Sequence, residues 1–562
     1  MRFSKEAQSA LAAQAGYRKA VGHRFDIHEA VATAAPYSVS VLGYGAGADF
    51  LYHQGFLCYR VGHEIRLLDV HGAARLERVL DLHTVLPRLD PASTFDSGIP
   101  VIERVSLLRY SHGILVFRVE GVGPMDDALV AIHMGYRSSH QQKKHKQGRL
   151  LMHRSIPASA EIFVRHSASY LWYGTWSSGP WSVHGVDFTT QDSLDLQLDH
   201  LVDGDIGQSL CFEMYKNHLY MVSTQPASGH DERFSSFYHW FCYAPRSGPK
   251  GHGRLWRREH REGPINEMWT DLSIRTDETT GRPVILECRR EWPDGKSENH
   301  RTYYTEQLPT PEEILAGASN PPSVTGDAKL NSSKYLMTAG QAYDQRPEKR
   351  LRRNYHAEYE PSYDTNQRQE FIAARTKFSG YNLAASTFVD LVNDPGSDGL
   401  RSRDRLRLRT VSRKRKCPVD EETGLLFQPT QTNPDGVPVE GSEERFASRG
   451  VHLWPEDDAP AELQRILCPD ARTGRIRAIA DERSLIYSVS CAELLPEPPA
   501  PDHQALVLIS FDPAIRLPEM GSLDAESAVA EKQSSVPRSG TGSLLREAEP
   551  LYKAIGWGYW LR

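Results

Sequence analysis

Close cysteine pairs are missing from this chain. Cys58, Cys211, Cys242, Cys288, Cys417, Cys468 and Cys491 are scattered, with no CxxC among them. An odd, dispersed set fits free buried thiols in a reducing compartment, so the expectation is an intracellular protein of the cytoplasm or nucleus. No run of 18 apolar residues occurs, which argues against a transmembrane helix. The opening "MRFSKEAQSALAAQAGYRKA" has basic residues and alanines but no dense apolar core, and so fails as a secretory signal. Charge of one sign is also lacking: 66 Lys and Arg against 72 Asp and Glu leave a net charge of -6, giving no global attraction to nucleic acid or anionic membrane.

Catalytic signatures are equally scarce. There is no HExxH, no GxSxG, no GxxxxGK[ST] and no GxGxxG following a strand. "GYGAG" (43–47) lacks the helix that a phosphate-binding turn needs. His23, His28, His53 and His63 could be offered as metal ligands, but no pair of them sits at the HExxH spacing. No metal or cofactor is expected. Asp187, Asp195, Asp199, Asp203 and Asp205 cluster in sequence, and two of them at the separation a glycosidase needs would make an enzyme, although surface turns account for them equally well. "HQQKKHKQ" (140–147) and "SRKRKC" (412–417) read as solvated basic loops, with a phosphate or acidic-partner patch as the alternative for the first and a nuclear-import patch for the second. "RLRLR" (405–409) reads as an amphipathic strand with its arginines outward.

What is present is β structure in quantity. Hydrophobic residues make up 39% of the 562, ample for a large core. In "FLYHQGFLCYRVGHEIRLLDVHG" (50–72) two alternating runs flank Gly62-His63, as in a half-buried hairpin. The scheme returns at 105–134, 160–188, 208–244 and 269–307, and again at 475–513. Gly55, Gly113, Ser169 and His218 hold similar places, at spacings of 58, 56 and 49 residues. Propeller blades, four-stranded antiparallel sheets that cannot bury their faces alone, repeat at about this period. The expected fold class is therefore all-β: a propeller-like repeat of mostly four-stranded antiparallel blades, with a short N-terminal helix and disordered inserts. A β-sandwich or an irregular large sheet is the competing reading. The expected organisation is a helical segment over 1–36, capped by Ser4 and stopped by Pro36. Blades over 37–310, a flexible Pro- and charge-rich insert over 311–375, further blades over 376–515 and a flexible tail with a short helix over 516–562 follow.

The densest aromatic and cationic segment is 254–305. Trp256, Trp269 and Trp292 lie among Arg257, Arg258, Arg289, Arg290 and Arg301. Trp and Arg dominate the centres of protein interfaces, and they also stack guanidinium over indole within a fold. Trp256, Arg257, Arg258, Trp269, Arg289, Arg290 and Trp292 are accordingly the candidate protein-contact residues. Were Trp269 instead fully buried core, its truncation to alanine would cost roughly 3–5 kcal/mol.

"LWRREHREGPINEMWTDLSI" and "ECRREWPDGKSENHRTYYTE", with "GQSLCFEMYKNHLYMVS" and "SSFYHWFCY" before them, resemble the C-terminal β region of fungal F-box proteins. The resemblance covers about 25–310 and the stretch from about 470. It implies a substrate-recognition role in a ubiquitin ligase, with a cullin–RING adaptor as partner where an F-box is present. The 35 residues before the β region lack the family's Leu-Pro and Leu-Leu opening and its later Trp. They resemble only the linker helix that follows the F-box, which implies either a truncated gene model or a β region working without its docking part. The expected function is a non-enzymatic module for an unidentified protein partner, with no nucleic-acid or membrane partner. A glycoside hydrolase-like propeller, or a scaffold unrelated to ubiquitination, is the alternative.

Overall fold

The computed structural model describes residues 3–12, 16–46, 49–72, 76–89, 105–121, 126–135, 148–158, 161–176, 181–198, 205–224, 237–257, 269–292, 300–319, 355–358, 375–394, 404–415, 446–491, 503–517, 520–522 and 544–562. Two helices open the chain, α1 (Lys5–Leu11) and α2 (Tyr17–Ala32), where one was expected. Gly16 precedes the second, and Thr33 ends it by donating its hydroxyl back to the Glu29 carbonyl at 2.7 Å. The strands follow: β1 (Ser38–Ala46); β2–β5 (Phe50–His53, Phe56–Val61, Glu64–Asp69, Glu77–Asp81); β6–β9 (Val105–Ser111, Ile114–Val119, Asp126–His133, Leu150–Pro157); and β10–β13 (Glu161–His166, Tyr170–Trp176, Ser182–Asp187, Ser193–Gln197). Next come β14–β17 (Leu210–Tyr215, His218–Ser223, Phe237–Ala244, Gly248–Trp256) and β18–β21 (Asp271–Thr276, Pro283–Glu291, His300–Gln307, Tyr355–Ala357). The last are β22–β25 (Arg375–Asn382, Thr387–Asn393, Leu406–Arg415, Phe446–Trp454), β26–β28 (Arg477–Ala480, Ser484–Ser490, His503–Ser510), β29 (Gly521–Ser522), β30 (Leu545–Ala548) and β31 (Gly558–Trp560).

These strands form seven sheets, and the fold class is an all-β, seven-bladed propeller. Five sheets have four strands in chain order, and β2–β5 gain β30 as a fifth. The remaining sheet runs β26-β27-β28-β1-β31-β29, so the first strand of the chain sits among the last. Each hairpin repeat read from the sequence is the first part of a blade. Gly55 shows why its turn position is demanding: its φ is +88°, and a Cβ there would lie 2.3 Å from the His71 ring.

The chain divides into two compact units. Unit 1 comprises 1–4, 159–363 and 413–448 and holds β10–β21; unit 2 comprises 5–158, 364–412 and 449–562. In unit 1 the blades pack through aromatics. Phe163 of β10 stacks on Phe212 of β14 with ring centroids 3.7 Å apart, and Trp172, Trp181 and Trp240 are buried. In unit 2, Ala30 and Val31 of α2 join Val389, Leu391, Leu408, Val507 and Ile509 in one apolar cluster. A buried polar link adds to it: His23 of α2 bonds Asp512 at 2.6 Å, while Arg483 bonds both Asp512 and Glu6 of α1. Burial alone would raise the Asp512 carboxyl, but the His23 bond and the Arg483 charge bring it down to about 2.

Three expectations are corrected. The arginines of 405–409 do not all face outward. Arg407 and Arg409 are buried, because Asp394 and Asp457 meet the first and Asp390, at 2.8 Å, meets the second. Within 311–375, Pro311–Ser319 is a helix and Tyr355–Ala357 completes the β18–β20 sheet, while 320–354 and 359–374 lie outside the described residues. The tail after 516 likewise contributes β30, paired with β5, and β31, paired with β1, because a blade edge gains ladder hydrogen bonds from any strand that reaches it.

Candidate functional site

The described candidates of the Trp- and Arg-rich segment lie at one end of two adjacent blades in unit 1. β16 begins and β17 ends there, and Phe237 pairs with Trp256 across that ladder. β19 ends there as well. Its register with β18 sets Asp271 opposite Cys288 and, extended by two residues, Trp269 opposite Arg290. Alternation along β19 then sends Glu287, Arg289 and Glu291 to one face and Cys288 and Arg290 to the other.

Arg257, Glu287 and Arg289 are all buried and lock the blades together. Arg257 donates to Glu287 Oε1 from Nη2 at 2.6 Å and from Nε at 3.0 Å. Arg289 Nε donates to Oε2 at 2.8 Å, and the Tyr238 hydroxyl of β16 donates to the same oxygen. Arg289 also reaches the Arg257 carbonyl at 3.1 Å and lies 4.0 Å over the Tyr304 ring, whose hydroxyl donates to Glu291 at 2.6 Å. Burial works against ionisation of Glu287, but the two guanidinium charges outweigh it and hold the carboxyl well below the usual carboxylate range. Burial opposes the charge on Arg289 too, yet Glu287 and the phenols of Tyr238 and Tyr304 raise its pKa further.

The seven candidate residues therefore divide. Arg257 and Arg289 are not surface groups in this structure: strand alternation turns them inward to a carboxylate between blades, a correction to the contact surface expected of them. Trp269 is 59% exposed, so it is not core. The Arg290 guanidinium sits 4.4 Å from its ring centroid, and Arg290 is itself half-buried. Trp256 is half-buried, edge-on to Phe237 at 5.3 Å, and Arg254 lies 5.9 Å over the Phe237 ring. Trp292 is half-buried at the exit of β19, and Arg258 lies outside the described residues. Sequence reasoning missed Phe237, Tyr238, Arg254, Glu287 and Tyr304. The available signal was the spacing of Glu287 and Arg289, two apart in one strand and so on one face.

Among the described residues no group of three His, Cys, Asp or Glu side chains could hold a metal ion. Of the clustered acids, Asp187 closes a turn. Burial would raise its carboxyl, but the N–H groups of Thr190 and Thr189 and the side chain of Arg246 lower it. Asp195 is exposed on β13, 2.7 Å from His184; Asp199 and Asp203 lie outside the described residues, as does "HQQKKHKQ". Among the described residues six cysteines are free and buried, and burial pushes Cys242 up to about 12 and Cys491 to about 11, away from the reactive thiolate. No helix among the described residues is long and apolar enough to cross a membrane.

No protein-family model matches the chain, and no curated protein matches it in sequence. Solved structures similar to it include the WD40 domain of SCAP from fission yeast, at 9% identity and a TM-score of 0.35, covering 85% of this chain and 95% of that one. Others are the Dos1 propeller (9%, TM-score 0.25, covering 82% and 78%) and the polysaccharide lyase Uly1 (9%, TM-score 0.31, covering 83% and 90%).

Proposed function

We propose that this propeller is a non-enzymatic protein-binding module whose contact edge is centred on Trp269 and Arg290, with Trp256, Arg254, Phe237 and Trp292 around them. The observation that carries this is an exposed indole held in place by a guanidinium stacked on its face. Large exposed aromatics cost free energy in water and are enriched where a partner covers them. A rigid support favours binding because less side-chain freedom is lost on association. The Arg257–Glu287–Arg289 network supplies such a support directly behind the edge.

The resemblance to the β region of fungal F-box proteins extends this reading to substrate recognition in an F-box-type ubiquitin ligase subunit, where a cullin–RING adaptor binds through an F-box. That extension rests on the quoted segments, and it is tested by adaptor recovery with a chain carrying upstream coding sequence. The binding reading is tested by quantitative capture from native cell extract with wild type, Trp269→Ala and Arg290→Ala. It expects the same protein to be depleted with both variants while their melting matches wild type. Capture unchanged by either substitution, or turnover of a glycan panel by the purified chain, overturns it.

A further inference from the structure

A second exposed apolar feature lies in unit 2, on α2. Tyr17, Val21 and Phe25 are 65%, 58% and 63% exposed. They stand four residues apart and so form one continuous ridge along the helix. The neighbouring ridge is Arg18, Gly22 and Asp26, also exposed. Its ends are oppositely charged and its middle has no side chain. Gly22 is unfavourable inside a helix, and no contact among the described residues requires it, since a Cβ there would meet nothing within 4 Å. The opposite face of α2 is already used: Ala20, Arg24, Ile27, Ala30 and Val31 are buried.

We propose that α2 is a self-association surface that packs antiparallel against α2 of a second copy of this chain. A two-fold axis between Val21 and Gly22 sets residue 17 beside 26, 18 beside 25, and 21 beside 22 of the other copy. The apolar ridge of each helix then faces the charged ridge of its mate, and the gap at Gly22 serves as the groove that ridge-into-groove packing along the i±4 rows requires. Val21 enters the space left open by Gly22. Phe25 receives the guanidinium of Arg18 on its face, and the Tyr17 hydroxyl reaches the Asp26 carboxylate. Antiparallel order also sets Arg18 near Asp26 of the mate, twice over by symmetry. The charge pattern is therefore self-complementary in this orientation and like-on-like in the parallel one. That asymmetry selects a second copy as occupant, since a different partner would need an unrelated charge order to match it.

A contact this small belongs with weak interfaces, below about 1,200 Å², so dissociation constants on the order of 1–50 µM are expected. Sedimentation of the full chain at about 100 µM should show a monomer–dimer equilibrium. Gly22→Leu and Phe25→Asp should each weaken it tenfold or more, roughly the loss at an interface hot spot. Gly22→Ala separates the proposal from a purely local effect: it should raise helix stability, by propensity, while weakening association. Asp26→Arg alone should weaken the dimer, and Arg18→Asp with Asp26→Arg should recover part of the loss, since the swap restores the charge pairing but not the Arg18–Phe25 and Tyr17–Asp26 contacts. Circular dichroism and melting establish that each variant is folded. A wild-type chain that stays monomeric, or a dimer indifferent to Gly22→Leu and Phe25→Asp, overturns the proposal and assigns the ridge to another occupant.

Discussion

Replacing Glu287 by glutamine removes one negative charge from between two buried guanidinium groups. The carboxylate accepts from Arg257 at 2.6 and 3.0 Å, from Arg289 at 2.8 Å and from the Tyr238 hydroxyl. None of the three charged side chains is more than 1% exposed, so solvent cannot take over the lost interaction. Breaking such a group by removing one partner costs about 3–5 kcal/mol, most of it the cost of leaving buried charge uncompensated. With a urea m-value of about 3 kcal/mol/M, the unfolding midpoint should fall by roughly 1 M or more. Tryptophan fluorescence during urea titration measures this. Replacing the whole triad (Arg257→Met, Glu287→Leu and Arg289→Met) should recover much of the loss, because apolar groups of similar volume need no partner. Acid supplies a second check. A carboxyl depressed in the folded state contributes stability that is complete above its unfolded value of about 4.3 and is lost as pH falls through the folded value. Wild type should therefore lose stability on acidification below about pH 4, and the glutamine variant should lose less. A midpoint shift under about 0.3 M at neutral pH would refute a structural role for the triad.

Trp269→Ala should change unfolding stability by no more than about 0.5 kcal/mol, against the roughly 3–5 expected of a buried Trp, because the ring is mostly in water. Gly55→Ala should cost about 1–3 kcal/mol, since its φ of +88° strains any side chain and the new Cβ meets His71; thermal melting reads this. The bond to Asp512 raises His23 above its ordinary value, against the pull of burial. Its contribution is then complete below about pH 6.5 and is lost as pH rises through the folded value, so His23→Gln should flatten melting temperature against pH above that point.

The blade hairpins were legible because each is local. Alternation from Phe56 to Asp69, with Gly62 where the backbone turns left-handed, specifies two paired strands without reference to the rest of the chain. Edge strands were not. Tyr355–Ala357 lies in polar, proline-rich sequence, and Leu545–Ala548 reads as part of a helix; each is a strand only because a blade edge receives it. Alternation also gives a period without saying which face meets water. Arg407 and Arg409 turned inward because Asp390, Asp394 and Asp457 await them, and those acids lie elsewhere in the chain. Composition singled out the Trp- and Arg-rich segment as unusual. It did not separate Arg289 from Arg290, adjacent residues with opposite environments, because the side each takes depends on the register of β19 with β18 and β20.

A photo-crosslinking amino acid in place of Trp269, introduced into the full chain in its native cell, tests the binding edge most directly. A protein-binding edge predicts a discrete covalent adduct with another protein, lost when Arg290→Ala is added and absent when the probe is moved to Leu315, an exposed apolar control. The absence of any adduct at 269 in a folded chain, or an equal adduct at 315, would contradict it.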